Sequence, residues 1–166
     1  MVDRAVKKLL QTESGLAPED IQVRLDHIEQ SIPESYIHSS SHRLSLYKAL
    51  GTLPTKEELW EFRNGVEDRF GILPESVLNI FRNAEVRLWG QLHGVEKIEH
   101  EQNRLRIQVK DASRLNHEKL VGWLCEQETP LSYIPENTLD YKNVPPEMNA
   151  ILKGLKNLEQ VFTVYG

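Results

Sequence analysis

Sulfur is scarce in this 166-residue chain, with Cys125 as the one cysteine beside two methionines. A single thiol makes no internal disulfide and no sulfur-based zinc site, so the fold must stand on packing, and a buried, inert thiol is the expectation for Cys125. Glycine (9) and proline (8) are too few for a fibrous or low-complexity chain, and 39% hydrophobic with 27% charged residues describes an ordinary globule. No apolar run approaches the length that spans a bilayer, and Asp3, Arg4, Lys7 and Lys8 break up the first apolar residues, which excludes a signal-peptide core. A cytoplasmic setting and no membrane contact are expected. A basic excess is missing too. Twenty Lys and Arg face 25 Asp and Glu, for a net charge of -5. That is the wrong sign for a module that grips nucleic-acid phosphates, and protein partners become the better expectation.

The signatures of common chemistry are absent as well. The chain has no G-x-x-x-x-G-K-[ST] phosphate loop, no G-x-G-x-x-G and no G-x-S-x-G elbow. Of six histidines, only His38 and His42 have a spacing that could turn two rings toward one metal, and the serines between them read as a loop and a helix cap. Cys125 and His117 could be drawn as nucleophile and base, but the cysteine falls on an apolar stripe beside Leu124. Adjacent acids such as Glu57-Glu58 point in different directions on a helix. No catalytic residue, metal site or cofactor is expected in this chain.

Periodicity supplies the fold class. Val2, Ala5, Val6, Leu9 and Leu10 recur at helical spacing, and this helix starts without a cap, as the tail of a preceding domain would. Ile21, Val23 and Leu25 alternate like a half-buried strand. Ser41 is the expected N-cap of a helix carrying Leu44, Tyr47 and Leu50. Thr55 and Glu58 form a capping box before Leu59, Phe62, Val66 and Phe70, which share one helix face that Gly71 terminates. Pro74 opens a third helix bearing Val77, Ile80, Phe81, Ala84, Leu88 and Leu92 up to Gly94. Two hairpins follow, one turning at Gln102-Asn103 and one around Pro135-Glu136-Asn137, with a helix bearing Leu120, Val121, Leu124 and Cys125 between them. Pro146 opens a last helix whose Met148, Ile151, Leu155, Leu158 and Phe162 make a narrow apolar seam, expected to dock on the chain's own core. The class is α+β: several helices packed on short antiparallel strands or hairpins in one compact domain.

The helix from Thr55 to Phe70 has a more specific back face. Glu61, Gly65 and Asp68 follow at steps of four and three opposite the apolar stripe, with Arg69 beside them. Gly65 in a helix interior costs about 1 kcal/mol relative to alanine, so it marks either close approach of another group or drift. The plain reading of the face is a solvated helix surface. For Arg69, it is a cation placed to favour the helix dipole.

Taken in order, three blocks have a familiar pattern. Ile32-Pro33-Glu34-Ser35-Tyr36-Ile37, then Arg43-Leu44-Ser45-Leu46-Tyr47-Lys48, then Glu58-Leu59 with Asp68-Arg69-Phe70-Gly71-Ile72-Leu73-Pro74, resemble the C-terminal domain of bacterial transcription-repair coupling factors (Mfd). The likeness covers residues 21 to 99 well and continues weakly beyond. It implies residues 1–15 as the tail helix of a translocase domain and 16–166 as the regulatory domain. The parent would be an ATP-driven DNA translocase, with ATP and Mg in its motor, that removes stalled RNA polymerase and recruits nucleotide excision repair. The resemblance further implies autoinhibition, in which this domain packs on a UvrB-like N-terminal module and masks the surface that binds UvrA. The contact would use Asp68 and Arg69 with Glu61 as neighbour. Two positions depart from the pattern: Gly65 stands where an acid is common, and His38-Ser39 where Pro-Asp is common. The rival readings are an independent adaptor that binds RNA polymerase or DNA, and a small hydrolase. Tyr36, Arg43 and Tyr47 are expected to be architectural.

Overall fold

A computed structural model describes residues 21–163. The expected helix of Val2 to Leu10 and the boundary at residue 15 lie outside the described residues. The α+β class holds. Among the described residues five helices and a five-stranded sheet alternate irregularly: β1 (Gln22–Arg24), α1 (Ser40–Thr52), α2 (Lys56–Phe70), α3 (Glu75–Leu92), β2 (Val95–Glu101), β3 (Arg104–Val109), α4 (His117–Leu124), β4 (Leu131–Ile134), β5 (Thr138–Lys142) and α5 (Met148–Leu158). Within this α+β domain the chain divides into two compact units, one of residues 29–88 and one of residues 21–28 with 89–163.

In the first unit, local signals set the ends of the helices. The Thr55 hydroxyl accepts from the Glu58 N–H at 3.2 Å, and Gly71 at φ 97° closes α2 by donating to the Glu67 carbonyl at 2.8 Å. The cap of α1 is Ser39 rather than the expected Ser41. Its Oγ accepts from the His42 N–H, while Ser41 lies within the first turn and shares a 2.9 Å hydroxyl contact with it. Leu46 and Leu50 of α1, Leu59 and Val66 of α2, and Val77, Phe81 and Ala84 of α3 close on Ile32 and Ile37 as one apolar core. Leu92, expected on the apolar face of α3, is 74% exposed in the helix's last turn, and Leu44 of α1 is 41% exposed.

The second unit is built on the sheet, in the order β1-β2-β3-β5-β4. Its β2–β3 and β4–β5 hairpins are antiparallel, as expected; β5 also pairs antiparallel with β3, and β1 adds a parallel edge to β2. Gln102 and Asn103 turn the first hairpin with φ of 51° and 59°, the left-handed pair that a two-residue loop of this kind requires. Ile98, Leu105, Ile107 and Leu139 are fully buried on one face. The seam of α5 is buried along its whole length, from Met148 to Leu158 and on to Phe162, so it docks on the chain's own core. Gly154 makes that approach possible, because a Cβ there would meet Leu105 Cδ2 at 3.2 Å. α4 has only eight residues, which leaves Cys125 at its C-cap, past the buried side that Leu120 occupies. The thiol is exposed, contrary to expectation, and Val121 is also 56% exposed.

Candidate protein-docking site

The three sequence blocks meet in the first unit through their polar atoms. The Tyr36 hydroxyl donates to the Gly71 carbonyl at 2.7 Å, which ties the turn after Pro33 to the end of α2. Desolvation, and then the Glu67 carboxylate, push the Tyr36 pKa up, so this hydroxyl stays a donor. The Arg43 guanidinium donates to the carbonyls of Ile37 and His38 at 2.8 and 3.0 Å, and the Tyr47 hydroxyl accepts from the Ile32 N–H at 3.2 Å. All three residues are architectural, as expected. Arg87 of α3 was not singled out from the sequence. It donates to the Leu50 and Gly51 carbonyls at 2.7 and 3.2 Å and so caps the C-terminal end of α1, which has no basic residue of its own in the last turn. Burial lowers its pKa.

This frame leaves one flank of α2 open. An open groove of about 540 Å³ runs between α1 and α2. The half-buried Phe62 and Phe70 supply its apolar surface over a floor of the buried Leu46 and Val66, Ser45 and Ala49 of α1 keep it wide, and His42 and Arg69 stand at one end with Glu61 toward the other. Gly65 lines it, and a Cβ built at Gly65 meets nothing within 4 Å. No close approach among the described residues therefore requires the glycine. Arg69 lies over the Phe70 ring, its guanidinium carbon 4.9 Å from the centroid, a cation–π contact that fixes its position on the rim. Of the expected site residues, Glu61 and Arg69 share the groove, whereas Asp68 does not line it. Seven residues carry α2 through about 700°, which turns Asp68 roughly 20° further from the groove than Glu61. All three are exposed, and among the described residues neither Glu61 nor Asp68 has an ion-pair partner. The groove residues of α1 were missed, although Ser45 and Ala49 at four-residue spacing beside Leu46 are a legible stripe of small residues.

Among the described residues no group of three or more His, Cys, Asp or Glu side chains is placed to hold a metal, and no helix is long and apolar enough to cross a membrane. In the second unit His100, 4% exposed, is held by His27 at 3.0 Å and by the Val144 carbonyl at 2.6 Å. Asp140 is buried beneath Arg104 and Arg106, with contacts of 3.5 and 3.9 Å.

Comparison with known proteins agrees with this architecture. A solved structure described as the C-terminal domain of transcription-repair coupling factor superposes with a TM-score of 0.68 over 86% of this chain and 94% of that one, at 20% identity. Transcription-repair-coupling factors match in sequence: that of Borreliella burgdorferi is 23% identical over 96% of this chain and 14% of its own length. That of Staphylococcus epidermidis is 31% identical over 72% and 10%, and that of Escherichia coli 28% over 65% and 9%. The chain thus spans no more than 14% of the length of these three relatives. The profile of the TRCF domain matches residues 27–120, more than half of the chain, and the chain belongs to the TRCF domain family.

Proposed function

We infer that this chain is the regulatory C-terminal domain of an ATP-dependent DNA translocase that couples transcription to nucleotide excision repair, and that it acts by occlusion in the cytoplasm. In this reading the domain performs no chemistry of its own. It packs on the UvrB-like N-terminal module of the same protein and covers the surface that UvrA would use, while the motor, with its ATP and Mg, and the contacts with RNA polymerase and DNA belong to the rest of the parent. The observation that carries the reading is the state of Glu61, Asp68 and Arg69: exposed on a helix whose opposite side is anchored in the core, with neither acid paired among the described residues. Charges held on a rigid element and left without partners are suited to a complementary surface, where they set orientation and specificity.

Such a clamp must open. Contacts between domains of one chain are commonly modest and polar, and a difference of a few kcal/mol between closed and open states is enough for regulation. The test is a calorimetric titration of this domain with the separately expressed UvrB-like module of its parent, repeated with the double variant Asp68→Ala, Arg69→Ala. The expected result is binding that weakens at least tenfold in the variant. Two folded proteins that show no heat of binding at high concentration would refute the autoinhibitory role.

A further inference from the structure

The geometry points to the groove between α1 and α2 as a docking site for an amphipathic helix of a protein partner, lying antiparallel to α2. The inference rests on the docking reading above for the partner being a protein, and adds what the partner must present. The apolar surface of the groove and its width fit a row of large apolar side chains rather than a charged surface alone. Gly65 is the second element. A helix-interior glycine costs about 1 kcal/mol against alanine, and nothing among the described residues requires it, since a Cβ there meets none of their atoms within 4 Å. What the missing side chain provides is room at mid-groove for the closest part of an incoming helix.

The charges choose the direction. Glu61 and Arg69 are eight residues apart on α2, about 12 Å along the axis, and the His42 ring joins Arg69 at its end of the groove. The occupant therefore needs an acid opposite Arg69 and a base opposite Glu61, two helical turns apart. In a helix an acid is favoured near the N-terminus and a base near the C-terminus. Both preferences are met at once only when the incoming helix runs antiparallel to α2, with apolar residues at i, i+3 or i+4, and i+7 between the two charges.

The test uses a defined probe. An Ala/Gln-based helical peptide of 16 residues carries three leucines at i, i+3 and i+7, a glutamate near its N-terminus and an arginine seven residues later, and its twin has the two charges exchanged. Each is titrated into the ¹⁵N-labelled chain, which is then compared with the Gly65→Leu variant. The leucine Cβ meets nothing within 4 Å among the described residues, so the variant obstructs mid-groove and should keep the spectrum of a folded protein. The expected result is amide shifts at Ser45, Ala49, Gly65 and Arg69, with binding at least tenfold weaker for the twin and for Gly65→Leu. Absence of shifts at these residues with millimolar peptide overturns the docking site, whatever the titration with the UvrB-like module gives. Equal affinity for the twin overturns the orientation. The same shifts appearing with protein concentration alone, together with a dimer in sedimentation, would assign the groove to a second copy of the chain and overturn the inference. Peptide binding without module binding would leave the groove standing and remove the autoinhibitory reading.

Discussion

The buried His100 makes the second unit sensitive to acid, and the geometry sets both the sign and the limit of the effect. The Val144 carbonyl can only accept, so its 2.6 Å contact places a proton on His100 Nε2. Nδ1 is then an acceptor, and His27 Nε2 at 3.0 Å must donate to it. A second proton on His100 would require the exposed His27 to change tautomer, which is cheap, and would put a cation where water cannot reach it, which is not. Desolvation is accordingly the largest cause of the lowered His100 pKa, with the Val144 carbonyl opposing it and the charge of His27 adding to it. The unfolded chain takes up this proton near pH 6.5 and the native one only at lower pH. The stability tied to neutral His100 is thus fully present above pH 6.5 and is lost as pH falls from 6.5 toward the native value. One proton gives a slope of at most about 1.4 kcal/mol per pH unit, so the loss by pH 5 reaches at most about 2 kcal/mol. Urea unfolding at several pH values between 7.5 and 5, for the wild type and for His100→Gln, measures it. Gln Nε2 can still donate to Val144, and the carboxylates titrate in both proteins, so the difference between the two slopes isolates the histidine. Equal slopes below pH 6.5 would refute the argument.

Further outcomes follow from the first unit. Arg87→Met removes two charge-assisted hydrogen bonds from the end of α1, each worth about 1.5 to 3 kcal/mol, and relieves the burial of a cation, for a net loss of about 2 kcal/mol in chemical denaturation. Arg87→Lys should fall between, because a point charge does not bridge two carbonyls. Gly65→Ala should stabilise the chain by about 0.5 to 1 kcal/mol, seen as a rise of a few degrees in Tm, since the new methyl meets open space in a helix. Asp68→Ala and Arg69→Ala should change stability by no more than about 0.5 kcal/mol by the same measurement, because both side chains are exposed.

Most of the fold was legible wherever a signal is local. The cap at Thr55, the stop at Gly71, the turn at Gln102-Asn103 and the seam of α5 depend on residues a few positions apart, and they stand where the pattern placed them. The displaced readings fail at ends of elements. Ser39 and Ser41 are equally good caps by residue type, and the helix start selects the first. Leu92 and Cys125 continue a periodic stripe past the point where the core ends. Contacts across long separations leave no periodic trace: the parallel pairing of β1 with β2 joins residues 75 apart, as Gln22 with Lys97, and His27 meets His100 across 73. The candidate site was half legible for the same reason. Its charged residues lie on one helix and could be read from spacing, whereas the groove also needs a second helix, and the small-residue stripe of Ser45 and Ala49 does not say which helix it faces.

Gly65 is where sequence and structure together say more than either alone. The resemblance places an acid at this position in related chains, one turn before Asp68, so this chain has one charge fewer on the face expected to meet a partner. If that face worked by charge alone, the loss would weaken it and an exposed residue of any good helix-forming type would serve as well. The glycine instead costs about 1 kcal/mol in helix stability and shares with Ser45 and Ala49 a groove whose middle is apolar and whose charges stand toward its ends. With Asp68 turned away and Glu61 and Arg69 left at the two ends, what remains between the charges is open apolar surface. Affinity at such a surface would come from burial of side chains in the middle, and the outer charges would decide which way round the partner lies. Salt should then separate the two contributions: raising it weakens discrimination between the peptide and its charge-exchanged twin while leaving most of the affinity in place.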